Sequence, residues 1–250
     1  MARRDSMAGA EGRSERAVLI ALALFAGQVV APGSGPAEAA VAQAAEFRCR
    51  GADVVIRSGA DADRGLICEA AVETIAFMAA NGLGQISALT IDVAAAIPAG
   101  HAGSAGCYDW VSDTAFVRED AVCVRDGDLP QYFRIANTRA VRKSLVAHEV
   151  AHAIAARHFS IERPSVGAQE YIAGAVQFSV MDPETRDRIL AQFEGTGHSG
   201  LMQMNGMLYY MNPARFLVES YRHFARPENG FGFVRALLSG ALRPLDDFPY

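Results

Sequence analysis

His148, Glu149 and His152 stand in the run His-Glu-Val-Ala-His. On an α-helix, positions i and i+4 share a face about one turn apart, so both imidazoles can reach one cation. Glu149 projects about 100° round the helix from His148, beside such a cation rather than onto it. A carboxylate in that position can take a proton from water held by the metal. The pattern therefore predicts zinc-assisted hydrolysis of a peptide bond, with His148 and His152 as ligands to Zn2+ and Glu149 as the general base. The flanking sequence suits a buried helix: Leu145, Val146, Val150, Ala151 and Ile154 are apolar, and no Pro or Gly occurs from Val141 to Phe159. Two buried histidines need partners, because unsatisfied polar groups are costly away from water, and a metal is such a partner.

Catalytic zinc takes three protein ligands and keeps one position open. Two residues compete for the third place. His158 has the spacing of the longer pattern H-E-x-x-H-x-x-G-x-x-H, which belongs to metzincins. Here the glycine position is Ala155, and Ala153-Ile154-Ala155-Ala156 favours continued helix. A continued helix turns His158 about 120° from the face of His152. Glu170 is the preferred ligand. Pro164 interrupts the chain, Ser165 can cap a new helix over about 166–181, and Asp182-Pro183 can open the next. A helix–turn–helix of this length can fold Glu170 back against the two histidines. A metzincin-like site using His158 is the alternative.

Residues 146–180 resemble the gluzincin class of zinc metallopeptidases, which includes thermolysin and the zinc aminopeptidases. The resemblance lies in the HEVAH helix followed by a glutamate helix, here Gln169-Glu170-Tyr171-Ile172-Ala173. It implies a zinc ion on His148, His152 and Glu170, with Glu149 as base and a peptide or protein as substrate. One departure is visible. The thermolysin branch carries a carboxylate four residues after its ligand glutamate, where it orients a ligand histidine. This chain has Gly174 there, so that support must come from elsewhere. The whole looks like a small exported bacterial zincin.

A donor for the developing oxyanion is the least defined part of the site. Tyr209, Tyr210, Tyr221, His198 and His223 are available after Glu170. For that reason a non-catalytic zinc-binding or peptide-binding protein of the same fold is the alternative function. Leu201, Met202, Met204, Met207, Leu208 and Met211 could wall an apolar substrate pocket, but helical core packing is the stronger expectation.

The elements that must position these residues read as α+β. Strands are expected at Asp53–Ile56 and Leu89–Val93, with a helix between them over about Gly65–Ala80. A hairpin is expected from Tyr108–Val117 and Ala121–Val124, turning near 118–120, with another short strand at Tyr132–Ile135. The active-site helix spans about Thr138–Arg157. Further helices follow at Pro183–Phe193, Ala214–Ala225 and Phe231–Leu242. The fold class expected is zincin-like: a small mixed sheet packed on the HExxH helix, then a helical C-terminal part. The hairpin around Trp110 is the candidate edge for pairing with an extended substrate.

The 250 residues are 51% hydrophobic, enough for one sizeable core. A net charge of −5 gives a nucleic-acid partner no electrostatic support. Residues 1–44 read as a signal peptide or N-terminal anchor: arginines precede the apolar run Ala17–Ala26, and Ala-x-Ala sites follow. The chain is thus expected to be exported, periplasmic or secreted, with membrane attachment only if that segment is uncleaved. Residues 45–250 are expected to be one metallopeptidase domain, with 45–157 holding the sheet and active-site helix and 158–250 the glutamate helix and its successors. Four cysteines in such a context suggest two disulfides, Cys49–Cys68 and Cys107–Cys123 being the favoured pairing.

Overall fold

The computed structural model describes residues 45–58, 63–84, 87–97, 104–122 and 132–245. All of them fall in one unit, residues 42–250. The expected leader and its cleavage sites lie outside the described residues.

Strand β1 (Ala45–Arg48) pairs antiparallel with β2 (Val54–Ser58). In β2, Val54, Ile56 and Ser58 are buried while Arg57 faces out, the period-two pattern of a sheet covered on one face. Helix α1 (Arg64–Ala80) starts where the Asp63 carboxylate accepts from the Leu66 amide. It carries the chain over to β3 (Leu89–Ala94), which runs parallel to β2 and buries Leu89, Ile91 and Val93. A disulfide joins Cys49, beyond the end of β1, to Cys68 in α1, with 5.3 Å between their Cα atoms. Such a bond is characteristic of an oxidising compartment.

Strands β4 (Gly106–Asp109) and β5 (Thr114–Arg118) form the hairpin, which reverses at 110–113, within the expected first strand, and not near 118–120. The Asp109 carboxylate accepts from the amides of Val111 and Ser112, and Asp113 takes a left-handed φ of +50°, so the chain reverses there. Glu119–Val122 forms the short helix α2 instead of leading into a strand. The sheet order is β1-β2-β3-β5-β4, with β3 and β5 parallel and β4 antiparallel on the edge. The strand expected at Tyr132–Ile135 is a tight turn closed by one bridge between those two residues. Phe133 and Arg134 both have positive φ there, which an extended strand excludes.

Helix α3 (Arg139–Ala156) packs against α1, α4 and the β4–β5 hairpin. It is followed by α4 (Val166–Ser179), α5 (Pro183–Leu190), a single 3₁₀ turn at Leu201–Gln203, α6 (Gly206–Met211), α7 (Pro213–Phe224) and α8 (Gly230–Leu238). The mixed α/β architecture, with five strands in one sheet among the described residues and a helical C-terminal part, agrees with the α+β expectation. None of the helices among the described residues is long and apolar enough to cross a membrane.

The expected core role of the methionine-rich segment holds only for Met204, which is fully buried. Met202 in the 3₁₀ turn is exposed, and so are Met207, Leu208 and Met211, because α6 is too short to bury more than one side against its neighbours. Cys107 is buried and makes no disulfide among the described residues; Cys123, its expected partner, lies outside them.

Candidate metal centre

The site begins with two helix caps. The Thr138 hydroxyl accepts from the Val141 amide at the start of α3, and the Ser165 hydroxyl accepts from the Ala168 amide at the start of α4. From its cap, α3 runs without a break through the histidine motif to Ala156. The caps and the α3–α4 packing bring Glu170 onto the face that His148 and His152 share.

The Nε2 atoms of His148 and His152 are 3.0 Å apart. Glu170 Oε2 lies 3.3 Å from His148 Nε2, and Glu170 Oε1 lies 3.5 Å from His152 Nε2. One ligand atom from each of the three residues falls within 4.8 Å of the others. Tetrahedral zinc with bonds of about 2.0–2.2 Å holds its donors roughly 3.3 Å from one another. The observed separations match that spacing. The polar balance points the same way: Glu170 Oε2 is buried without a hydrogen-bond partner. A cation between the rings and the carboxylate would satisfy all three residues. Two imidazoles and one carboxylate also form a donor set suited to zinc.

The electrostatics of these residues follow from burial and mutual contact. Burial pushes the Glu170 carboxyl up, but His152 and His148 outweigh it and hold the group well below the usual carboxylate range. For His148, burial favours the neutral ring, yet Glu170 and Glu149 shift it upward overall. Glu149 is raised, chiefly by burial and further by Glu170, with the two histidines opposing. Its Oε2 is buried and has no hydrogen-bond partner. Glu149 thus stands next to the cluster but outside it, as the roughly 100° turn per residue requires.

His158 does not join the cluster. It lies in the turn after α3, where its amide bonds to the Ala155 carbonyl. Without glycine at 155 the chain stays helical past the point where His158 could turn back to the face of His148 and His152.

Support for His148 comes from a residue that sequence reasoning missed. Gln177 Oε1 lies 3.0 Å from His148 Nδ1, and Gln177 Nε2 lies 3.2 Å from Ser144 Oγ. Positions 170 and 177 are seven apart and so share a face of α4, a spacing that could have identified it. Gly174 cannot serve, since a Cβ there would stand 2.7 Å from Leu217 Cδ2 of the packed α7.

Among the candidate oxyanion donors, the structure brings Tyr209 to the site. Its phenol is raised by burial and then by the nearby carboxylates of Glu170 and Glu149. The segment before α6 can come close because the Met204 carbonyl packs directly on Gly167, where any Cβ would overlap it. The other candidates are engaged elsewhere or face solvent. His223 Nδ1 and the Tyr171 hydroxyl are 2.7 Å apart, and His198 Nε2 is 3.0 Å from Ser220 Oγ. Tyr221 stacks on Phe178, and Tyr210 is exposed.

The β4 edge is fastened beside the cluster. Tyr108 donates to Asp113 Oδ1 over 2.6 Å, and Arg157 at the end of α3 donates to Asp113 Oδ2 over 2.5 Å. These bonds tie the hairpin turn to the helix that carries the motif.

No curated protein matches the chain. A family model described as "Family of unknown function (DUF6639)" matches residues 54–244, a span that contains His148, Glu149, His152, Glu170, Gln177 and Tyr209. The chain belongs to this family.

Proposed function

We propose that this protein is a zinc-dependent peptidase of gluzincin type with a zincin-like fold, acting after export. The observation that carries the reading is the convergence of His148, His152 and Glu170 at zinc-ligand separations, with the unpartnered Oε2 of Glu149 beside them. When bound, zinc supplies a Lewis-acid centre with an open position at which water becomes acidic enough to lose a proton near neutral pH.

Glu149 is suited to receive that proton and to return it to the departing amine. Its buried setting already favours the protonated form, and its free Oε2 can bond to water without first breaking an internal bond. Tyr209 is suited to donate to the carbonyl oxygen as charge develops there. The antiparallel strand β4 stands at the edge of the sheet, the position at which an extended substrate adds as a further strand. Trp110 and Val111 in the β4–β5 turn and Met207, Leu208 and Met211 in α6 are exposed apolar groups on the two segments that flank the site. They favour substrates with apolar side chains near the scissile bond. The Cys49–Cys68 disulfide supports an exported location.

The test is metal analysis joined to peptide-library cleavage. Purified protein is expected to hold one zinc per chain and to cleave peptides in a chelator-sensitive manner. Metal-free protein with full cleavage, or zinc-loaded protein with none, would remove the proposal; the latter leaves a zinc- or peptide-binding protein of the same fold.

A further inference from the structure

We propose that Gln177, itself oriented by Ser144, is the positioning residue that locks His148 in its Nδ1–H tautomer. In this chain it takes over the role that the missing side chain at Gly174 cannot perform.

The direction of each hydrogen bond can be traced from the backbone outward. Ser144 Oγ is 2.7 Å from the Val141 carbonyl oxygen. A carbonyl only accepts, so the hydroxyl donates there and its single proton is used. Ser144 Oγ can then only accept from Gln177, so the amide nitrogen must face it. The 3.2 Å separation agrees, being ordinary for N–H···O and long for O–H···O. The carboxamide is thereby oriented with Oε1 toward His148. An amide oxygen only accepts, so the nitrogen 3.0 Å away, Nδ1, must carry a proton. In the neutral ring the lone pair is then on Nε2, the atom that faces His152 and Glu170.

The relay is closed to water. Ser144 and Gln177 are each 1% exposed and His148 is 8% exposed. Flipping the amide would set two donors against each other at Nδ1 or strand a buried polar atom, so the arrangement is self-consistent in one sense only. The acceptor is also neutral. A carboxylate in this place could draw the Nδ1 proton and make the ring a stronger donor, whereas an amide holds the tautomer without adding charge to the site.

The tautomer lock stands on hydrogen bonding alone, and its consequence for zinc rests on the proposed metal centre. Two measurements on the full chain separate them. Two-bond ¹H–¹⁵N correlation spectra of histidine-labelled protein at pH 8.5, zinc-free and zinc-loaded, are expected to show His148 protonated at Nδ1. In Gln177→Leu the neutral ring is expected to lose that preference, and zinc affinity measured by chelator competition should fall about 10–100-fold. Ser144→Ala leaves the amide free to turn. It should give mixed tautomers with a smaller loss of affinity, and it serves if Gln177→Leu does not fold. An Nε2–H tautomer in the zinc-free wild type would overturn the proposal, as would an unchanged His148 signal in both variants. A locked tautomer in a protein that binds no zinc would sustain the relay while overturning the metallopeptidase reading.

Discussion

Gly106 on the edge strand and Glu149 on α3 are fitted to each other so closely that a Cβ on Gly106 would stand 2.7 Å from Glu149 Oε1. The same Cβ would be 2.7 Å from the Phe116 carbonyl oxygen, so the strand cannot retreat without disturbing its pairing with β5. A bare stretch of backbone therefore passes beside the proposed base. Gly106→Ala is expected to displace the Glu149 carboxylate and to cost about 1–3 kcal/mol of stability through overpacking. Zinc content should be retained, because the nearest atoms that a Cβ there would meet belong to Glu149 and Phe116 and not to a ligand. Hydrolysis should fall at least tenfold. Wild-type turnover in a folded Gly106→Ala protein would show that the base is elsewhere.

Ligand and base substitutions should separate cleanly. His148→Ala and Glu170→Ala are expected to lose zinc, leaving buried polar partners unsatisfied. Glu149→Gln should keep zinc and lose about 10²–10⁴-fold in kcat. His158→Ala should keep both zinc and activity, since His158 lies outside the cluster. Zinc loss in His158→Ala with retention in Glu170→Ala would reverse the ligand assignment.

Tyr209→Phe removes one hydroxyl and little volume. If that hydroxyl stabilises developing charge, kcat should fall about 10²–10³-fold with KM nearly unchanged and zinc retained. A rise in KM alone would assign Tyr209 to ground-state substrate binding.

Stability should decline on the acid side for a reason remote from the metal centre. Burial pushes His198 from its ordinary 6.5 down to about 4, with His223 adding to the effect. The unfolded chain binds a proton at His198 below 6.5, whereas the folded protein refuses it until about 4. Stability is therefore complete above pH 6.5 and decreases as the pH falls toward 4, by up to about 3 kcal/mol from this residue. Urea unfolding midpoints between pH 7.5 and 4, together with the NMR titration of His198, check this. An ordinary titration of His198 near 6.5 in the folded protein would contradict it.

Much of the centre was legible in local sequence because its parts obey local rules. Two imidazoles at i and i+4 must share a helix face, Thr138 and Ser165 must begin helices, and the alanine run after His152 must continue one. The Cys49–Cys68 pairing across a short loop was also readable, as was the run of strands and helices that makes the chain α+β. Tertiary packing alone decided the rest. The hairpin turn moved to 110–113 because side-chain hydrogen bonds from Asp109 outweighed the alternation beyond Val117. Tyr209 rather than its four rivals reached Glu170 because Gly167 lets the Met204 backbone approach α4. Gln177 became the partner of His148 because Leu217 of α7 occupies the space above Gly174. Each of these outcomes depends on contacts between residues far apart in the chain, and of them only Gln177 leaves a trace in the sequence, its seven-residue spacing from Glu170 on one helix face.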